Sequence, residues 1–168
     1  MAKLKIPAAI LTLLLGGATA YQVLDVAIPA VEGNPTVAYA DVGGVPTICA
    51  GVTKGVKLGD VETLEGCRRR NAEEIQKGLA DVRRCIAVPL SEGQAAGLGL
   101  FAYNVGGGAF CRSTLTKMIN QGRAPAEACA QLDRWVYVAG KDCRIASSGC
   151  AGIIHRRALE RALCEWSP

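Results

Sequence analysis

The chain has 168 residues, half of them apolar and a fifth charged, with a formal net charge of +4. That length suits one domain with a genuine core, or two small lobes sharing one, and excludes two independent domains; the composition is neither disordered nor fibrous. The densest basic cluster, Arg68-Arg69-Arg70, lies in helix-like sequence without interleaved aromatics, so it reads as a solvated face and no nucleic-acid partner is expected. A weak positive field does suit an anionic polymer. Eight cysteines with no C-x-x-C pair, and His155 as the one histidine, point to an oxidising compartment and paired disulfides. They argue against a zinc site and against Cys-His nucleophilic catalysis, and no metal or organic cofactor is expected.

In chain order, Lys3 and Lys5 precede a run from Ile6 to Leu24 that carries no charge and approaches the ~20 residues of a bilayer span. Basic residues ahead of it put the N-terminus in the cytoplasm and the rest outside. A cleaved secretory signal, favoured by the A-x-A-like Ala18-Thr19-Ala20, and an uncleaved anchor both fit this composition. Pro7, Thr12, Gly16, Gly17, Thr19 and Gln22 dilute the leucines, so such a segment is able to leave a bilayer. From Thr36 to Lys57, short β-prone pieces (36–39 and 45–49) alternate with glycines and predict a small antiparallel sheet, with Pro46 on an edge strand. A helical pattern follows over 61–88, stopped by Pro89. Ser91 and Gln94 form a capping box for a helix carrying Leu98, Phe101, Ala102 and Val105 on one face, and it halts at Gly106-Gly107-Gly108. Further helices are predicted over 113–120, 125–138 and 152–166.

The chemistry lies in the β-rich stretch. Glu32, Asp41 and Thr47 taken singly are a solvated helix end, a turn acceptor and a strand former. Taken together they supply two carboxyl groups and a hydroxyl able to hold water, the set that glycosidic hydrolysis needs. Their register, E-G-x-x-x-x-A-Y-x-D-x-x-G-V-x-T-I-x-x-G-x-T, resembles the catalytic segment of the phage-lysozyme family of endolysins, glycoside hydrolase family 24. Downstream, Phe-Ala-Tyr-Asn-Val-Gly at 101–106, Ser-Thr-Leu at 113–115, Ile-Asn-Gln-Gly at 119–122, Arg-Trp at 134–135 and Arg-Arg-Ala-Leu-Glu at 156–160 are similar to further family landmarks.

The resemblance implies an α+β, two-lobed lysozyme-like fold: a small antiparallel β lobe, a larger helical lobe and an N-terminal apolar anchor helix. Residues 1–28 are expected as the anchor or signal segment and 29–168 as the catalytic domain. It implies hydrolysis, with inversion, of the β-1,4 bond between N-acetylmuramic acid and N-acetylglucosamine in peptidoglycan. Glu32 is then the general acid, kept protonated by partial burial, and Asp41 with Thr47 activates the water. Asn104 is expected by the cleft, and an arginine near the acid at Arg157, with Arg156 as second choice. Phe101, Tyr103 and Trp135 read as core. The resemblance also suggests the bridges Cys49–Cys67 and Cys129–Cys164; Cys143 and Cys150 sit close enough for a local bridge, leaving Cys85 with Cys111. One departure stands out: Val52 occupies the place of a structural histidine in many relatives.

The N-terminus resembles the signal-anchor-release subgroup, whose apolar segment tethers an inactive enzyme to the host inner membrane before escaping to the periplasm. Residues 6–24 are then the membrane contact, peptidoglycan is the other partner, and a monomer is expected. Residues 1–48 hold no cysteine, so activation by refolding on release is expected, not disulfide exchange with the anchor. The alternatives are a lytic transglycosylase acting on the same bond and a non-catalytic, disulfide-rich secreted binding module.

Overall fold

The computed structural model describes residues 6–41 and 43–167. Lys3, Lys5 and the orientation read from them lie outside those residues. The N-terminal run forms two helices, α1 (Ala8–Leu15) and α2 (Ala20–Glu32), and no described helix is long and apolar enough to cross a membrane. A single anchor helix is therefore not what is seen. Gly16 and Gly17 interrupt it, with Gly17 at a φ of 76°, a conformation that ends helices and that side chains resist. Thr19 restarts the chain through a capping box with Gln22, and the Glu92 carboxylate accepts the Ala20 N–H at 2.6 Å.

The apolar residues of this run turn inward. Ile10, Leu14, Val23, Leu24, Ala27 and Ile28 are buried with Ile75, Leu79, Leu100, Leu159 and Leu163 in one cluster. Burying a large aliphatic side chain is worth about 1.5–3 kcal/mol relative to water, so outside a bilayer this segment has a strong drive into the core.

The β lobe follows. β1 (Tyr39–Ala40) pairs antiparallel with β2 (Pro46–Thr47), with Tyr39 opposite Thr47. Both strands are shorter than the sequence predicts. Val37 instead bridges Val61, so the segment before β1 pairs with residues beyond Asp60, where sheet signals are absent from the sequence. After β2 the chain reverses through Cys49 (φ 56°) and Gly51 (φ 90°), closing the Ile48–Val52 bridge. Val52 is buried with Ala38, Ile48, Cys49 and Cys67, so it is core packing for the lobe.

The long α3 (Leu64–Cys85) joins the lobes, and α4 (Glu92–Val105) runs through the centre of the helical one. The predicted Ser91–Gln94 capping box is present. The helix is apolar all round, as a fully enclosed helix should be: Leu98, Phe101 and Ala102 face a second cluster with Phe110, Leu115 and Leu132, while Ala96 and Leu100 face the first. Its glycines let neighbours approach. A methyl group on Gly97 would come within 2.5 Å of the Cys164 nitrogen, and one on Gly99 within 2.9 Å of Leu24 Cδ1 on α2.

Short helices α5 (Gly107–Arg112), α6 (Thr114–Asn120) and α7 (Pro125–Cys129) complete the lobe. The helix predicted over 125–138 stops early. It tightens into a 3₁₀ turn (Ala130–Arg134), then gives a hairpin of β3 (Tyr137–Val138) and β4 (Lys141–Asp142). Ala139 and Gly140, at φ 48° and 76°, provide the two left-handed residues a tight hairpin turn requires. α8 (Gly152–Cys164) packs back against α4. Disulfides join Cys49–Cys67, Cys85–Cys111, Cys129–Cys164 and Cys143–Cys150.

Candidate active site

Glu32 is the last residue of α2, and Gly33 at a φ of 73° turns the chain out of the helix. A carboxyl at a helix C-terminus meets the partial negative charge of exposed carbonyls and is poorly placed to ionise. Its side chain is only 15% exposed and is paired with Arg156 of α8, itself 12% exposed. Burial pushes the Glu32 carboxyl above the usual range, and the Arg156 and Arg157 guanidinium groups pull it back only in part. The result is an acid biased towards keeping its proton.

The wall facing Glu32 is the turn after β2. A methyl built on Gly51 would lie 4.0 Å from Glu32 Oε2 and 4.0 Å from the Tyr103 ring, so this glycine provides both the left-handed turn and open space against the acid. Ala50 before it is buried, and both its backbone polar groups are held. Its N–H donates to Asn71 Oδ1 (3.2 Å) and its carbonyl accepts the Tyr103 hydroxyl (2.5 Å). Burial, with Glu32 nearby, keeps the Tyr103 phenol well above its ordinary pKa, so it remains a donor.

Asp41 and Thr47 belong to the hairpin that leads into this turn. Asp41 Oδ1 accepts the Gly43 and Val45 N–H groups, each at 2.8 Å. The Val45 carbonyl in turn accepts both the Asp41 N–H (3.0 Å) and the Thr47 hydroxyl (2.9 Å). One residue, Val45, thus ties the two side chains together through its N–H and its carbonyl. Thr47 is buried, at 3% exposure; with its proton directed to Val45, its oxygen can only accept from a water. Val45 is part of the register, but its backbone role is not visible there, and nothing in the sequence singles out Asn71 as a support of the site.

The arginine that meets Glu32 is Arg156; the sequence favours Arg157, which the structure puts behind it. Arg157 is 3% exposed. It donates to the Trp135 carbonyl (2.8 Å), to Glu160 Oε1 (2.6 Å) and to Asn104 Oδ1, and lies 5.0 Å above the Phe101 ring. Asn104, read as a cleft residue, is thereby linked to the buried pair. Phe101 is fully buried and Trp135 packs edge-on to it at 5.1 Å, while Tyr103 spans core and site. Among the described residues no group of three or more His, Cys, Asp or Glu side chains gathers as for a metal ion.

A small β lobe set against a helical lobe, with a largely buried acid at their junction, defines a lysozyme-like hydrolase. A profile for phage lysozymes matches residues 29–160. A "SAR-endolysin" of Escherichia phage 933W is 42% identical, covering 95% of this chain and 92% of its own. Among solved structures, the muramidase domain of SpmX from Asticaccaulis excentricus superposes with a TM-score of 0.73 at 25% identity, covering 98% of this chain and 99% of that one. An endolysin from Escherichia coli O157:H7 phage FAHEc1 superposes with a TM-score of 0.71 at 28% identity, covering 83% of this chain and 89% of that one. The chain belongs to the phage-lysozyme family, and is a lysozyme-type hydrolase of peptidoglycan.

Proposed function

We propose that this lysozyme serves host lysis as an endolysin, and that it cleaves the muramic acid to glucosamine bond with inversion, through Glu32, Asp41 and Thr47. The observation that carries the roles is the environment of Glu32: a carboxyl biased by burial towards its protonated form, with Arg156 beside it. Protonation of the leaving oxygen falls to this acid. Asp41 and Thr47, joined through the backbone of Val45, present oxygen acceptors only, the polarity needed to draw protons from a water and aim its lone pair at the sugar.

Renaturing gels cast with purified peptidoglycan, followed by product analysis, test this reading. Cleared zones and products with free reducing ends are expected. Anhydro ends would instead identify a transglycosylase, and an uncleared gel would leave only wall binding. Asp41→Asn is expected to lower turnover by about 10²-fold or more, as removal of a positioned base does.

For the N-terminus, we infer that residues 6–24 first hold the chain at the host inner membrane and are then released uncut to the periplasm. Support comes from the uncharged run and from the similarity to a "SAR-endolysin" over nearly the whole chain. The same side chains cannot fill the core and face lipid at once. Glu32 therefore reaches its place only when α2 docks. Gly16→Leu with Gly17→Leu should trap the tethered form for two reasons. Each added CH₂ is worth about 0.8 kcal/mol in lipid, and Leu at φ 76° opposes the folded turn. Membrane fractionation before and after collapse of the potential reads this out. A periplasmic chain beginning at Tyr21 would identify a cleaved signal instead.

A further inference from the structure

Asn71 stands out among the buried groups without a chemical role of its own. It lies on the face of α3 that carries Ile75, Leu79 and Val82, where an apolar residue is expected, yet it is 2% exposed. Both ends of its amide are used. The Ala50 N–H can only donate, which fixes Asn71 Oδ1 towards it (3.2 Å); Nδ2 then faces Asn34, whose Oδ1 accepts at 3.2 Å. Asn34 is two residues beyond Glu32, and Ala50 precedes the glycine that lies against Glu32 Oε2.

One side chain therefore joins the two segments between which the acid sits. Other ties are present: the Cys49 N–H bonds the Pro35 carbonyl at 2.8 Å, and Cys49 is bridged to Cys67 on α3. Those hold the neighbouring residue, Cys49, whereas Asn71 and Tyr103 hold the N–H and the carbonyl of Ala50.

We propose that Asn71 is a positioning residue for wall hydrolysis, clamping the exit of α2 to the Gly51 turn so that the acid stays enclosed and aimed. The proposal rests on Glu32 being the general acid. Without the clamp the turn moves away and water reaches Glu32. Arg156, Arg157 and Glu160 of α8 and Tyr103 of α4, the other ionisable groups that act on Glu32, stay on their helices, so what weakens is the burial that raises its pKa. A general acid must be protonated, so an acid of lower pKa loses activity at lower pH. The alkaline limb of the pH profile should move towards acid.

The test compares Asn71→Leu, which keeps the shape and removes both bonds, with Asn34→Ala, which removes one of them from a partly exposed loop. Leu132→Ala, in the other core cluster, is the control for general destabilisation. On a soluble wall oligosaccharide, Asn71→Leu should lower kcat about 10- to 100-fold with KM within about twofold, a loss typical of misaligned catalytic groups. Its alkaline limb should shift down by roughly half a pH unit, and Asn34→Ala should move both readouts in the same direction by less. Leu132→Ala should lower the melting temperature and leave the limb in place.

If Asn71→Leu does not fold, Asn34→Ala decides. Parental kcat and an unmoved limb in the folded variants would overturn the proposal, as would the same limb shift in Leu132→Ala. Full activity of Glu32→Gln would instead reject the assignment of the acid, so the two failures are distinguishable.

Discussion

Glu32→Gln is expected to remove wall hydrolysis while leaving the protein folded. The amide keeps the shape of the side chain and an oxygen for Arg156, but it has no proton to give to the leaving sugar oxygen. Loss of a positioned acid is worth about 10²–10⁴-fold, and activity on intact cells should fall to background. Stability should change in the opposite sense at neutral pH. The folded-state pKa of Glu32 lies above its ordinary 4.5, chiefly because burial penalises the charged form. The carboxylate therefore opposes folding once pH rises through that pKa, and imposes no such cost below 4.5. The Gln variant should melt at or above the parent temperature near neutral pH, with the difference vanishing in acid. In the parent, the alkaline limb of activity should lie above the ordinary carboxylate range. A folded Gln variant that still clears peptidoglycan would remove Glu32 from the mechanism.

How much of this was legible in the sequence depends on whether the signal was local. The capping box at Ser91 and Gln94 and the turn at Gly106 are short-range patterns, and they stand where expected. The register of Glu32, Asp41 and Thr47 marked the stretch that forms one end of α2 and the hairpin beyond it. What stayed hidden was tertiary. The run 6–24 reads as one apolar segment because hydropathy does not distinguish lipid from core, and only the left-handed Gly17 shows where it folds back. The hairpin at 137–142 lacks an Asn-Gly or Asp-Gly turn and follows a helical pattern. Asn71 looks like an ordinary surface residue on α3 until Asn34 and Ala50 are seen on either side of it. The choice between Arg156 and Arg157 turns on about 100° of helix rotation, which the motif does not define.

Arg157→Met should give a large loss of stability. Arg157 and Glu160 form an ion pair with both side chains enclosed, 4% and 0% exposed respectively. Removing one member of such a pair leaves a buried charge without compensation, a loss of about 3–5 kcal/mol. At this chain length that corresponds to a fall in melting temperature of roughly 6–20 °C. The same substitution frees Asn104 and leaves the Trp135 carbonyl without its donor, so the damage reaches the start of the 137–142 hairpin. Its pH dependence identifies the cause. Burial already raises Glu160 above 4.5, with Arg157 the largest opposing influence; without that cation its pKa rises further. A carboxyl whose folded pKa is raised favours folding below its unfolded value and loses that advantage as pH rises through the folded one. The variant should therefore recover stability as pH falls towards 4.5, and Arg157→Met with Glu160→Leu should restore most of it at neutral pH. If Arg157 instead contacts the glycan, the single variant will melt with the parent and show a raised KM, and the buried-pair account will be wrong.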